Sequence, residues 1–303
     1  MTGPRSETPV SVSKLGYVEF QTPDLDRLAN YYTRVLDFVE VDRAAEEVFL
    51  TPSFDHHAVV LRKGEKKPRT SVGYEIFEDL PDAERRLKDA GYEVQRRSDI
   101  APGMPEVLVL AEPMTRTDIH LYDQQPRSGV GPDDSTLRPT KLGHVASFTP
   151  ELDRMQDFYQ DQLGFKWSDT IGDFFVFLRC NSDHHAANFL ASQKFSGMHH
   201  VAYEMRDLNH LQTMLDHLAQ ENYRLQWGPG RHGAGHNIFT YHHDPDGNTI
   251  ELFTQLDVIH DEAKGYFEPR PWHSDFPQYP KTWEVDVMAV NSWGPINPAL
   301  IDH

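Results

Sequence analysis

The 303 residues are enough for one large or two medium cores, and a content of 38% hydrophobic and 25% charged residues is that of an ordinary globular chain. The formal net charge of −18 repels nucleic acid and anionic membrane, so neither is an expected partner. The single cysteine, Cys180, excludes an internal disulfide and fits a reduced, cytoplasmic setting, and no apolar run reaches the ~20 residues that a membrane helix needs.

The start, through Ser13, is polar, holds Pro4 and Pro9 and has no apolar core of a signal peptide. Lys14-Leu15-Gly16-Tyr17-Val18 then opens a strand, and Thr22-Pro23 reads as a helix start with Thr as cap. Leu25, Leu28, Tyr31, Tyr32 and Leu36 follow on one helical face. Asp55-His56-His57, Val72-Gly73-Tyr74-Glu75 and Ile119-His120-Leu121 mark later points of the first half, and Gln124 to Pro139 is a linker rich in Pro, Gly, Ser and Asp.

From Lys141 the same text returns. Lys141-Leu142-Gly143-His144-Val145 matches the opening strand, and Thr149-Pro150 with Leu152, Met155, Phe158, Tyr159 and Leu163 matches the helix. Asp183-His184-His185, Val201-Ala202-Tyr203-Glu204 and Ile250-Glu251-Leu252 match the later points. The offset is 127 residues at Lys14 and 131 at Ile119, the drift that a few loop insertions produce. Each half reads as strand, helix, strands, helix, strands. The second helix shows a stripe of Leu208, Leu211, Met214, Leu215 and Leu218, and Asp244-Pro245-Asp246-Gly247 is a turn between two short alternating runs. The expected organisation is one domain over 12–130, a second over 138–256, and an irregular extension over 257–303.

The repeat is also an internal comparison. Where the second half has His144, His200 and Glu251, the first has Tyr17, Ser71 and His120. Strand alternation puts His144 on a face with Ala146 and Phe148, and Glu251 on a face with Thr249 and Phe253, so these polar groups point inward among small or apolar neighbours. A buried carboxylate beside neutral imidazoles is costly unless something positive compensates, and a metal ion does so. Two His and one carboxylate leave three positions open on an octahedral metal, the ligand set of non-haem iron(II) oxygenases; zinc(II) and manganese(II) accept the same donors. A lone inward histidine is more often a hydrogen-bonded core residue, so the case rests on the three together. Alternation expects His199 and His200 on opposite faces, with only one of them a ligand.

Leu142-Gly143-His144-Val145, Met198-His199-His200-Val201-Ala202, Gly228-Pro229-Gly230-Arg231-His232-Gly233 and the block from Tyr241 through Asp244-Pro245-Asp246-Gly247 to Glu251 resemble the type I extradiol dioxygenases of the vicinal oxygen chelate superfamily. The last block is the most specific, and Thr240 departs from it where an apolar residue usually precedes the Tyr. The resemblance spans about residues 14–256. It implies an α+β fold: two tandem vicinal oxygen chelate domains built of repeated βαβββ modules that form half-open barrels, the first metal-free. It implies extradiol cleavage of a catechol-type substrate with O2 at iron(II), with manganese(II) as the other metal, in a homo-oligomer, a tetramer in relatives. Residue by residue, it makes His185 the acid–base group, with His184 as its rival. His232 and Tyr241 become contacts to the bound substrate oxygens, and Phe177 a bulky pocket residue.

The ring substituent divides the signals. Relatives that bind a carboxylated catechol place Arg where Trp227 stands and Asn where Ala146 stands, so both positions favour an alkyl or aryl group. Arg270 argues the other way, because a C-terminal Arg closes over the carboxylate in those relatives. Two further readings share the scaffold. A glyoxalase-like or 4-hydroxyphenylpyruvate dioxygenase-like enzyme would not need His185, His232 and Tyr241 together, and a non-enzymatic ligand-binding protein of the bleomycin-resistance kind lacks the triad.

Overall fold

The repeated text folds as four copies of one strand–helix–three-strand unit. The structure, a computed structural model, describes residues 8–115, 117–131, 133, 136–265, 267 and 278–296. The first unit is β1 (Val12–Thr22), α1 (Leu25–Asn30), β2 (Val39–Ala44), β3 (Glu47–Thr51) and β4 (Val59–Lys63). The second is β5 (Lys67–Ile76), α2 (Leu80–Asp89), β6 (Gln95–Arg97), β7 (Val107–Ala111) and β8 (Asp118–Tyr122). The third is β9 (Lys141–Thr149), α3 (Leu152–Asp157), β10 (Lys166–Ile171), β11 (Phe175–Arg179) and β12 (Ala187–Ala191). The fourth is β13 (Gly197–Glu204), α4 (Leu208–Gln220), β14 (Leu225–Arg231), β15 (Ile238–His243) and β16 (Thr249–Thr254). In every unit the first and last strands pair in parallel, and the helix and hairpin supply the long crossover that parallel pairing requires. Two units join through their antiparallel first strands, β1 with β5 and β9 with β13.

The sheets run β2-β3-β4-β1-β5-β8-β7-β6 and β14-β15-β16-β13-β9-β12-β11-β10-β17, where β17 (Lys281–Trp283) comes from the tail and pairs in parallel with β10. The tail is thus more regular than its composition suggests: it adds this strand and a helical turn, α5 (Val287–Val290). No helix among the described residues is long and apolar enough to cross a membrane.

Local details depart from the sequence pattern for identifiable reasons. The caps of α1 and α3 are Asp24 and Glu151, not the Thr two residues earlier; Thr22 instead forms a turn in which its Oγ1 accepts from the Asp24 N–H at 3.2 Å. Both helices widen into a π-helical turn, Tyr31–Val35 and Phe158–Gln162. The wider turn stacks buried Leu36 under Tyr31, whose carbonyl accepts from the Leu36 N–H at 3.2 Å, so two successive aromatics can both face inward. On α4 the stripe is buried at Leu211, Met214 and Leu218, but Leu208 is 45% exposed in the first turn, where Asp207 caps the helix.

One continuous core runs through both halves. The halves are also tied by the Val10 and Val12 N–H groups to the Gln162 and Leu163 carbonyls, by Arg27 to Asp246, and by Tyr31 Oη to His242 Nε2 at 2.7 Å.

Burial holds His57 and His242 down to about pKa 3. Their folded-state values lie below the unfolded 6.5, so between these limits the unfolded chain binds protons that the native chain does not. Stability should therefore be full above about pH 6.5 and fall as pH drops toward 3. Urea midpoints from pH 7.5 to 4.5 should decrease, and the decrease should be shallower in His242→Gln.

Candidate metal centre

Three neighbouring strands, in the order β16-β13-β9, bring the sequence-predicted ligands together. Ala202 on β13 registers against Glu251 on β16 and against His144 on β9, and His200 lies two residues from Ala202. All three side chains therefore share one face, and the small Ala202 leaves room between them. His144 Nε2 and His200 Nε2 are 3.2 Å apart, and each is 3.0 Å from Glu251 Oε2. These are the three His, Cys, Asp or Glu side chains that group as candidate metal ligands among the described residues, and all three are buried. Metal–ligand bonds of ~2.1 Å at right angles put neighbouring donor atoms about 3.0 Å apart, against about 3.4 Å at tetrahedral angles. The donor set and its spacing thus fit one face of an octahedral metal.

Burial raises the cost of charge on Glu251, but the charge and hydrogen bonds of His144 and His200 outweigh it and hold the carboxyl well below its usual range. Burial keeps His200 below its usual value as well, so both groups are ready to coordinate at neutral pH. Around them, Asn237 Nδ2 donates to Glu251 Oε1 at 3.1 Å and Tyr241 Oη donates to Oε2 at 2.9 Å. These fix the carboxylate's orientation.

The candidate ligands open into a cavity of about 470 Å³ to which all eight strands β9–β16 and the tail contribute, so the sheet must curl into a half-barrel. His185, Phe177, His232, Tyr241 and Trp227 all line it. The His185 ring lies 4.4 Å from the His144 ring and 5.2 Å from Phe177. Desolvation, with His144 and His184 nearby, keeps His185 well below its usual pKa. His232 stacks on Phe239 at 3.8 Å, sits 3.3 Å from Tyr241 Oη, and is pushed down to about 4 by desolvation. Its Nδ1 is 2.6 Å from the Val290 carbonyl, which can only accept, so Nδ1 carries the proton and Nε2 presents a lone pair to the cavity. Tyr241 is held well above its usual pKa by burial and by Glu251, so it stays a phenol. Trp227 stacks on Tyr241 and donates from Nε1 to the Pro295 carbonyl at 3.0 Å. Arg270 lies outside the described residues.

One expectation needs correction. His199 and His200 do not simply point to opposite faces. The register between β13 and β9 shifts between Met198 and His200, and a bulge of this kind rotates one side chain out of alternation. Both rings line the cavity, with their Nδ1 atoms 2.5 Å apart, and only His200 reaches the other ligands.

Four contributors escaped the sequence reading: Asn237, Asn188, Asp169 and the Val290 carbonyl. Asn188 is buried in the cavity wall between Ala146 and Phe177, and its Oδ1 accepts from no described residue. An Asn on an apolar strand, as in Ala-Ala-Asn-Phe, is the only signal that could have flagged it. The matching region of the first half is filled by its own groups. Tyr17 Oη meets His120 Nδ1 at 2.8 Å, Ser71 donates to Glu19, and Arg62 pairs with Glu19.

The chain belongs to the Glyoxalase/Bleomycin resistance protein/Dioxygenase superfamily, whose profile matches residues 14–101 and 141–252. A Metapyrocatechase 2 of Cupriavidus necator is 37% identical over 123 residues, a match spanning 40% of this chain and 38% of that one. The manganese-dependent 2,3-dihydroxybiphenyl 1,2-dioxygenase of Geobacillus genomosp. 3 is 23% identical over 86% of this chain and 90% of its own. Among solved structures, homoprotocatechuate 2,3-dioxygenase from Arthrobacter globiformis superposes with TM-score 0.83 at 22% identity, covering 99% and 94% of the two chains. The Mn(II)-bound glyoxalase from Novosphingobium aromaticivorans superposes with TM-score 0.82 at 24% identity, covering 97% and 95%. The fold is therefore common to both kinds of protein, and the site's own residues must separate them.

Glu251→Ala should lose bound metal and turnover together, because it removes a ligand and the balancing charge; elemental analysis of the purified variant checks this, and full occupancy would refute the assignment. His120→Ala, in the first half, should keep its metal.

Proposed function

We propose that this protein cleaves a catechol-type ring next to its two hydroxyls with O2, at a mononuclear iron(II) held by His144, His200 and Glu251. The observation that carries this reading is the company the triad keeps: three donors spaced for one octahedral face, opening on an apolar cavity that also holds His185, His232 and Tyr241. A glyoxalase-like reaction on the same fold has no need of these three together. When bound, the metal holds the catechol and O2 side by side and lets electron density pass between them.

The protein's own groups do the rest. His232 Nε2 accepts from a substrate hydroxyl. The Tyr241 phenol donates to a substrate oxygen in place of its bond to Glu251. His185, neutral in its buried position, takes up a proton on one side of the ligands and returns it as the ring opens. Phe177 and Trp227 pack against the ring, and the apolar walls exclude water. Iron(II) is the proposed resident metal; manganese(II) suits the same donors and is named in one full-length relative.

The substituent follows from the walls. Ile171, Phe174, Phe175, Leu190, Val285 and Ile296 are among the lining residues, and no Lys or Arg lines the cavity among the described residues. An alkyl or aryl group gains apolar burial there, whereas a carboxylate would be desolvated without a cationic partner.

Three outcomes test the reading. His185→Phe should retain the metal but lower kcat by about 10²–10⁴-fold, the usual worth of a positioned acid–base group; wild-type turnover from pH 6 to 9 would remove that role. Tyr241→Phe and His232→Asn should weaken catechol binding and raise release of reactive oxygen species, followed by titration and peroxide assay. Iron-loaded enzyme assayed anaerobically prepared and then oxygenated should prefer 3- or 4-alkylcatechols over homoprotocatechuate in kcat/KM; the opposite preference would make Arg270 a substrate-binding residue.

A further inference from the structure

Behind His185 lies a buried chain of groups that the ligand set does not explain. His185 Nδ1 is 2.9 Å from His184 Nδ1, and His184 Nε2 is 3.0 Å from Asp169 Oδ2. Asp169 also accepts from the Trp283 indole N–H at 2.9 Å and from the Lys281 backbone N–H at 2.8 Å. Asp169, His184 and His185 are each at most 3% exposed. Trp283 and Lys281 belong to β17, the strand the tail adds beside β10.

Donor and acceptor identities run through this chain in one direction. An indole N–H and a backbone N–H can only donate, so the Asp169 oxygens act as acceptors. An accepting carboxylate draws the His184 proton to Nε2. Neutral His184 then has a bare Nδ1, and that atom accepts from the His185 Nδ1–H. In neutral His185 the remaining lone pair sits on Nε2, the nitrogen left for the cavity.

The first half gives an internal control. His56 Nδ1 and His57 Nδ1 are 3.1 Å apart, so paired adjacent histidines recur away from the candidate ligands. There, however, the first histidine is only half-buried; Asp42, at the position matching Asp169, acts on it through its charge, but no hydrogen bond between them is found among the described residues, and no strand pairs beyond β2 among those residues. A carboxylate stands at the matching position in both halves, but it is hydrogen-bonded to the first histidine, and bound by a tail strand, in the half that holds the candidate ligands.

We infer that Asp169 and His184 are positioning residues that fix His185 in its Nδ1–H tautomer with Nε2 facing the cavity, and that docking of β17 is what holds Asp169 in place for this. The inference rests on the proposed acid–base role of His185. It also settles the rivalry between the two adjacent histidines: His184 acts through His185 and does not touch the reacting atoms. The tail has the matching effect on the opposite wall, where the Val290 carbonyl fixes the tautomer of His232. His185 and His232 thus both take their proton placement from the C-terminal segment.

The test uses full-length protein, ¹⁵N-labelled at histidine. Long-range ¹⁵N–¹H spectra of the diamagnetic zinc(II)-loaded chain should show His185 as the Nδ1–H tautomer and His184 as the Nε2–H tautomer. Asp169→Asn should mix the His184 and His185 tautomers. In the iron-loaded enzyme it should lower kcat about tenfold to a hundredfold, with KM changed less than threefold and metal content kept. Trp283→Phe, a milder change that keeps the apolar contact, should shift the same signals and lower kcat several-fold; it carries the test if Asp169→Asn does not fold. His185 in the Nε2–H tautomer in the wild type, or unchanged tautomers and kcat in both variants, would overturn the inference. Failure of the functional reading looks different: His185→Phe would then turn over normally, whatever the tautomers are.

Discussion

A single buried carboxylate constrains this protein more than any other group. Glu251 is 1% exposed, and an ionised carboxylate in such a place is tolerable only with compensating donors or charge on its oxygens. Oε2 faces two imidazole nitrogens and a phenol, while Oε1 takes the Asn237 amide. Four different strands or loops must deliver those groups to within about 3 Å of one carboxylate. The curl of the sheet, the small side chain of Ala202 and the tight turn at Asp244–Gly247 all serve that convergence. In the turn, Asp244 accepts from the Asp246 and Asn248 N–H groups, and Gly247 takes φ +78°, which sets the register of β15 against β16 and so of Tyr241 against Glu251.

Duplication explains why, among the described residues, the candidate metal ligands group in one half alone. Both halves curl in the same way, but the first fills its interior with Tyr17, whose ring stands where a side chain at Gly73 would be. Glu19, Arg62 and Ser71 satisfy one another there. The first half also serves as a scaffold for the second. Its helix α1 and the π-helical turn that follows supply Arg27 and Tyr31, which bind Asp246 within the turn before Glu251 and His242 just ahead of that turn.

The two histidines proposed to act beside the candidate ligands have different neighbours. His232 is held by a backbone carbonyl and a stacked Phe239, and His185 by a second histidine. Both are kept neutral by desolvation, so each offers an acceptor nitrogen to the cavity at neutral pH. An apolar wall is what makes this arrangement work, since water in the cavity would weaken the same hydrogen bonds.

The sequence by itself determined the repeat and the order of strands and helices, and it singled out the three candidate ligands, because each of these is written locally: apolar periodicity marks an element, and two texts 127 residues apart can be compared position by position. It also pointed to His185, His232, Tyr241, Phe177 and Trp227, all of which line the cavity, through their likeness to a known family. Only the tertiary structure decided what surrounds them. Asp169 lies fifteen residues before His184 on another strand, and Asn237 and Val290 reach the site from a loop and the tail; no periodicity links such positions. The bulge that brings His199 and His200 to one cavity depends on how β13 registers against β9, and the strand formed by the tail depends on a free edge at β10. Pairing partners, bulges and edges are properties of strands in contact, so they arise only when the chain has folded.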